Sequence, residues 1–189
     1  MKVRACSRFV SLLGRNFVGL YRNPASLIGR VIISVFVSLS MLLIFWQIGD
    51  DETKTREVTS SLFFICIAQL ALYEFATVLE FQKERKVFMR EHASKLYGSG
   101  AYYLSKLALE LPLLLMLPLL ENAMTFWGIG YRSDAFFKFY LVYILTVQVG
   151  TSMGYFISCL FDNMISAAQM TPFAVMPSVL FAGFLVNVD

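Results

Sequence analysis

The chain has 189 residues, 58% of them hydrophobic and only 15% charged, with a formal net charge of +3. Soluble domains carry roughly a quarter charged residues, so an ordinary water-soluble domain is excluded. The mean hydropathy of +0.65, with charges gathered in blocks between apolar stretches of about twenty residues, places most of the chain in a lipid bilayer.

At the N-terminus, residues 1–22 lack the compact apolar region and small-residue cleavage site of a signal peptide. Arg4, Arg8, Arg15 and Arg22 instead fall on one stripe of a helix, with Phe9, Val10, Leu12, Leu13, Phe17 and Leu20 spread over the opposite side. A basic amphipathic helix of this kind lies in the membrane interface, arginines towards anionic headgroups; the alternative is a cytosolic helix packed on a neighbouring domain. Asn23-Pro24 ends it, because the residue before proline is pushed out of the α region.

Five apolar runs follow, at about 27–48, 58–79, 101–127, 135–161 and 164–187. Lipid cannot satisfy an open backbone, and the runs are too long and too uniformly apolar for barrel strands, so all five are predicted to be helices. The expected fold is an all-α membrane protein, an interfacial helix over 1–24 followed by a membrane domain over 25–189.

Lysine and arginine placement sets the orientation. Lys2, Arg4, Arg8, Arg15, Arg22 and Arg30 precede the first span without an acid among them, and Lys83, Arg85, Lys86, Arg90, Lys95 and Lys106 cluster after the second. The intervening connections hold only Lys54 and Arg56, diluted by four acids, and Arg132 and Lys138. The positive-inside rule therefore predicts a cytosolic N-terminus and a cytosolic charged island at 80–100.

Within the spans, Glu74 and Glu110 are predicted to lie in the inner leaflet, where an ionised carboxylate costs several kcal/mol unless it is paired, protonated or wet. They are candidates for an interhelical polar network or a solvated vestibule. Glu121, about 30 Å along the third span at ~1.5 Å per residue, reads as an interface residue. Pro112 and Pro118 predict kinks in that span. Gly150, Gly154 and Ser158, at steps of four, form a small-residue stripe that lets helices approach closely. Gln169 and Thr171, beside Pro172 and Pro177, line a cavity or serve ordinary intramembrane packing.

No catalytic set is visible. The chain has no GxxxxGK[ST] phosphate loop and no HExxH, and His92, the single histidine, has no evident serine and aspartate partners. Cys6, Cys66 and Cys159 are scattered and suggest neither a disulfide framework nor a metal site. No enzyme activity, metal, cofactor or nucleic-acid partner is expected of the chain itself.

The island carries the most specific signal. Glu84-Arg85-Lys86-Val87-Phe88-Met89-Arg90-Glu91, followed by Tyr97, Tyr102, Lys106 and Glu110-Leu111-Pro112, resembles the segment joining the second and third spans in the G subfamily of ABC transporters, which includes eye-pigment, sterol, multidrug and pleiotropic drug resistance transporters. Arg22-Asn23-Pro24 resembles the end of that subfamily's connecting helix, and Ala182-Gly183-Phe184-Leu185-Val186-Asn187 the motif closing its fifth span.

The resemblance implies an exporter domain of six spans, five of them present here, that moves lipid-like or amphipathic small molecules. It implies a nucleotide-binding domain in cis or in trans, carrying ATP and Mg2+, and a second membrane half forming a homo- or heterodimer around a cavity lined by the second and fifth spans. Glu84, Arg85, Val87, Phe88, Arg90, Glu91 and Tyr97 would form the coupling element that docks on the nucleotide-binding domain. Phe184 and Leu185 stand where several members place two gating leucines. The chain is expected to be a fragment, or a subunit whose other parts are encoded elsewhere. The rival readings are a non-transporting membrane partner of a full transporter, and an unrelated channel or secondary carrier.

Overall fold

A computed structural model describes residues 14, 24–46, 48, 55–94 and 98–181. Among these residues there are five long helices: α1 (Pro24–Ile44), α2 (Thr55–Ala93), α3 (Ser99–Ile129), α4 (Phe136–Leu160) and α5 (Met164–Phe181), with a 3-10 turn at Ser133–Ala135 before α4. No strand occurs among the described residues. Each helix is long and apolar enough to cross a membrane. This is an all-α, multi-pass membrane protein.

Local chemistry sets the helix ends. Pro24 opens α1 at the position where a missing backbone N–H costs nothing. Gly130 closes α3 in the left-handed region, φ 82°, its N–H bonding to Phe126 O. Pro112 and Pro118 both lie inside α3 without ending it; Tyr140 donates to Leu115 O one turn before Pro118, 3.0 Å away.

The second helix differs from its expected bounds. The apolar run ends near Leu79, yet α2 continues to Ala93 for 39 residues, about 58 Å at ~1.5 Å per residue, against ~30 Å of hydrocarbon. Nothing between Thr55 and Ala93 is Gly or Pro, and the charged stretch is rich in Glu, Lys, Arg and Met, all good helix formers. The first part of the island is therefore an extension of the membrane helix, not a separate element.

The most extensive packing is α2 against α4, followed by α2 against α5; α1 packs on α3, and α3 on α4. The small-residue stripe of α4 makes the first of these contacts. A Cβ on Gly150 would lie 2.7 Å from Leu70 O, and one on Gly154 would lie 2.7 Å from Glu74 O. Ser158, a turn further on, is wholly buried. Ile65, Tyr73, Leu114, Ile129, Tyr143 and Val147 form one apolar core, and Val78, Ile157 and Ala167 a second. Phe36, Leu43, Trp127, Phe137, Phe173 and Phe181 all stand exposed, as expected of a surface that faces lipid.

Candidate functional site

Two polar constellations stand out, one at the island end of the bundle and one inside it. At the island end, α2 leaves the apolar core at Gln82. The Gln82 amide donates to Ser158 O (3.0 Å) and Phe161 O (2.7 Å). Arg85 reaches the same place, with Nη1 donating to Phe161 O at 2.5 Å and Nη2 to Asp162 Oδ1 at 2.6 Å. These carbonyls belong to the end of α4, where backbone acceptors lack intrahelical partners and the helix dipole is negative. A guanidinium is well matched to both.

The opposite side of α2 is tied to α3. Glu84 accepts from Tyr102 Oη at 2.9 Å and pairs with Lys106. Lys106 also lies 3.5 Å from Glu110, which accepts from Tyr155 Oη of α4. Tyr102, Lys106 and Glu110 are spaced four apart and so share one face of α3. Phe88 packs 4.6 Å from the Tyr102 ring and 5.5 Å from His92. Arg30 of α1 pairs with Glu80. Lys83, Val87, Met89 and Arg90 remain exposed, Val87 at 45% and Met89 at 56%. The segment thus has an inner face that knits helices together and an outer face left open.

The second constellation surrounds Glu121, which corrects the expectation of an interface residue. Its side chain is wholly buried and accepts from Ser34 Oγ of α1 and from Tyr73 Oη of α2, the latter at 3.1 Å. Gln69 donates to Tyr143 Oη at 2.5 Å beside it. α3 runs on to Ile129, leaving Glu121 about 12 Å from that end at ~1.5 Å per residue, where Ser34 of α1 and Tyr73 of α2 cover it. Arg30, Ser34, Tyr73, Thr77, Glu110, Glu121 and Thr151 contribute the polar lining of a cavity of about 50 Å³ between α1, α2, α3 and α4, room for a few waters and far below the ~300 Å³ of a small-molecule site.

Residues 7–189 match the family model described as ABC-2 type transporter. The chain belongs to the ABC-2 type transporter family. It is 31% identical over 182 residues to Protein white of Ceratitis capitata, covering 95% of this chain and 27% of that protein. It is 30% identical over 190 residues to ABC transporter G family member 22 of Dictyostelium discoideum, 97% of this chain and 30% of that one. It is 31% identical over 175 residues to the ABC transporter ATP-binding protein/permease wht-3 of Caenorhabditis elegans, 91% of this chain and 28% of that one. The resemblance to the G subfamily read from the island is borne out. The chain spans less than a third of the length of these relatives and belongs to the membrane part of an ABC transporter.

Against this family background, the remaining expected residues fall out as follows. Glu74 and Glu110 do not form one network. Glu74 is wholly buried against α4 with neither carboxylate oxygen hydrogen-bonded, while Glu110 belongs to the island-end cluster. Thr171 is buried and donates to Ala168 O, whereas Gln169 is exposed, so the two share no lining. Glu91 is half-buried. Arg4, Arg8, Arg15, Arg22, Tyr97, Phe184 and Leu185 lie outside the described residues. Sequence reasoning missed Gln82, Asp162, Arg30 and Glu80 as structural ties. The usable signal was present only for α3, where Tyr102, Lys106 and Glu110 repeat at a spacing of four.

Proposed function

We propose that this chain is the membrane half of an ATP-driven exporter of the G type, with the α2 extension as its coupling lever. The observation that carries the reading is the two-sided attachment of that extension, Arg85 and Gln82 to the α4 end and Glu84 to Tyr102 and Lys106 of α3. A helix so anchored cannot slide against its neighbours, so a push on its open face moves α2, α3 and α4 together. Val87 and Met89 supply apolar docking area there, and Lys83 and Arg90 supply charge to fix register.

The motor would be a nucleotide-binding domain, in cis or in trans, that rests on Lys83, Val87, Met89 and Arg90, with Glu91 at the margin. The name of the nematode relative wht-3, which pairs ATP-binding protein with permease, supports this partner. ATP and Mg2+ would sit on that domain. Among the described residues no three His, Cys, Asp or Glu side chains group to hold a metal. The distribution of lysine and arginine supports an N-terminus and an island in the cytosol. A second half would complete a central pathway for amphipathic or lipid-like substrates.

The test is transport and ATP hydrolysis by the full-length transporter carrying Glu84→Ala or Arg90→Ala. Expression and ATP hydrolysis persist while substrate export falls; export unchanged in both variants overturns the coupling role. Export driven by an ion gradient without ATP overturns the transporter class.

A further inference from the structure

The hydrogen bonds around Glu121 do not close. Ser34 and Tyr73 both donate to Oε1 of its carboxyl group, and Oε2, buried in the same place, has no partner. Gln69, whose side chain also reaches this carboxyl group, donates one amide N–H to Tyr143, and its own Oε1 is buried without a partner. Glu121 Oε2 and Gln69 Oε1 are thus two buried acceptors without a hydrogen-bond partner. A full negative charge there has no cation to offset it. Arg30 on α1 lines the cavity but is paired with Glu80, Glu110 on α3 is an acid held by Lys106 and Tyr155, and the groups facing Glu121 from α2 and α4 are the phenols Tyr73 and Tyr143.

One proton on Oε2 resolves all of this. It removes the charge, which an apolar interior penalises heavily unless paired, and turns an unmatched acceptor into a donor for Gln69 Oε1 or a cavity water. The cavity also offers the proton a route. It runs from Arg30 and Glu110 near the island end, past Thr77, Ala76 and Thr151, to Tyr73 and Glu121.

We infer that Glu121 is a proton-binding site, loaded from the island end of the bundle through the cavity between α1, α2, α3 and α4. In the loading step a hydronium ion in the cavity gives its proton to Oε2, leaving water and a neutral carboxylic acid. Release is the reverse: a water in the cavity takes the proton from Oε2, leaving a carboxylate and a hydronium ion. Proton exchange at Glu121 therefore depends on water in the cavity and on access to it from the island end. The inference does not depend on the coupling role of the island.

Infrared difference spectroscopy of the full-length transporter in lipid tests it, wild type against variant. A carbonyl band of a protonated carboxylic acid is present at neutral pH, shifts in D2O, disappears in Glu121→Gln and survives in Glu110→Gln. Glu74→Gln leaves this band in place. Tyr73→Phe and Ser34→Ala each shift the Glu121 band by removing a donor to Oε1, which keeps the assignment testable should Glu121→Gln fail to fold. Ala76→Phe, filling the cavity, slows D2O exchange of the band without moving it. A spectrum in which none of these variants alters a carboxylic-acid band overturns the proton site. A band that appears only when sodium is withheld makes the ligand a metal cation and also overturns it. Unchanged exchange in Ala76→Phe overturns the route.

Discussion

Gly154 shows how much of this bundle rests on single atoms. A Cβ placed there would meet Glu74 O at 2.7 Å and Thr77 Cβ at 2.8 Å, and one on Gly150 would meet Leu70 O at 2.7 Å. Those are backbone and branched side-chain atoms of α2 that cannot swing away, so Gly154→Ala must force the helices apart at a cost of about 1–3 kcal/mol, typical of overpacking. Gly29 meets nothing within 4 Å, and Gly29→Ala stabilises by about 0.5–1 kcal/mol through helix propensity. Thermal unfolding of the two variants in the same detergent, expected to move in opposite directions, checks the contrast. The stripe itself was legible in the sequence as small residues at steps of four. Its partner was not, because spacing reports that a helix can approach closely and says nothing of which helix it approaches.

The same reasoning separates two contacts made by one side chain. Asp162 is 91% exposed and Arg85 only 20%, so their ion pair is screened by solvent and contributes about 0–1 kcal/mol. The bond from Arg85 to Phe161 O is half-sheltered and involves a charged donor, a kind that contributes roughly 1.5–3 kcal/mol. Asp162→Asn should therefore leave stability nearly unchanged, while Arg85→Ala destabilises the α4–α5 turn. Hydrogen exchange of the amides at 161–164 reads both; equal effects from the two variants would assign the work to the ion pair instead.

At the scale of elements, the five spans were legible because apolar runs of about twenty residues admit no other structure in lipid. Their ends were legible only where a breaker stands, as at Pro24 and Gly130. α2 has no breaker, and hydropathy, which falls after Leu79, is blind to a helix that continues through charged residues. That continuity makes a prediction. Lys83 is exposed, so Lys83→Pro disturbs little except the backbone, where it removes a hydrogen bond and clashes with the carbonyl of Leu79 at a cost of ~3 kcal/mol. Amides at 84–93 should lose protection against exchange while those at 60–78 keep it. Protection retained throughout would mean the extension is held by its contacts to α3 and α4 and not by helical continuity. Glu121 was misplaced for a related reason. Depth along a helix can be counted, but whether a side chain meets lipid, headgroup or protein is decided by the neighbours that cover it, here Ser34 and Tyr73.

For the whole molecule, the packing sets α1 apart. α2, α4 and α5 are joined by the glycine stripe and by the Val78–Ile157–Ala167 core, and α3 shares the Ile65–Leu114–Tyr143 core with α2 and α4. α1 packs on α3 and meets α2 only sparingly. Two polar joints cross between α1 and α2: Arg30 with Glu80, and the carboxyl group of Glu121 shared by Ser34 and Tyr73. Apolar packing holds over a continuous surface, whereas a joint made of one or two hydrogen bonds can be broken and remade as a unit, which suits a bistable interface. Opening therefore belongs along this seam, and the α2–α4 contact belongs inside one rigid body. In a background where Cys6, Cys66 and Cys159 are replaced by serine, a thiol cross-linker joining Arg30→Cys to Glu80→Cys should arrest transport by the full-length protein. Joining Gln82→Cys to Ser158→Cys, which lie on α2 and α4 in contact, should leave most of it. The cross-links are scored by gel shift and reversed by reductant, so that recovery of transport on reduction separates arrest from damage. Full transport with the first pair completely linked would show that α1 and α2 never part, and would move the seam elsewhere in the bundle.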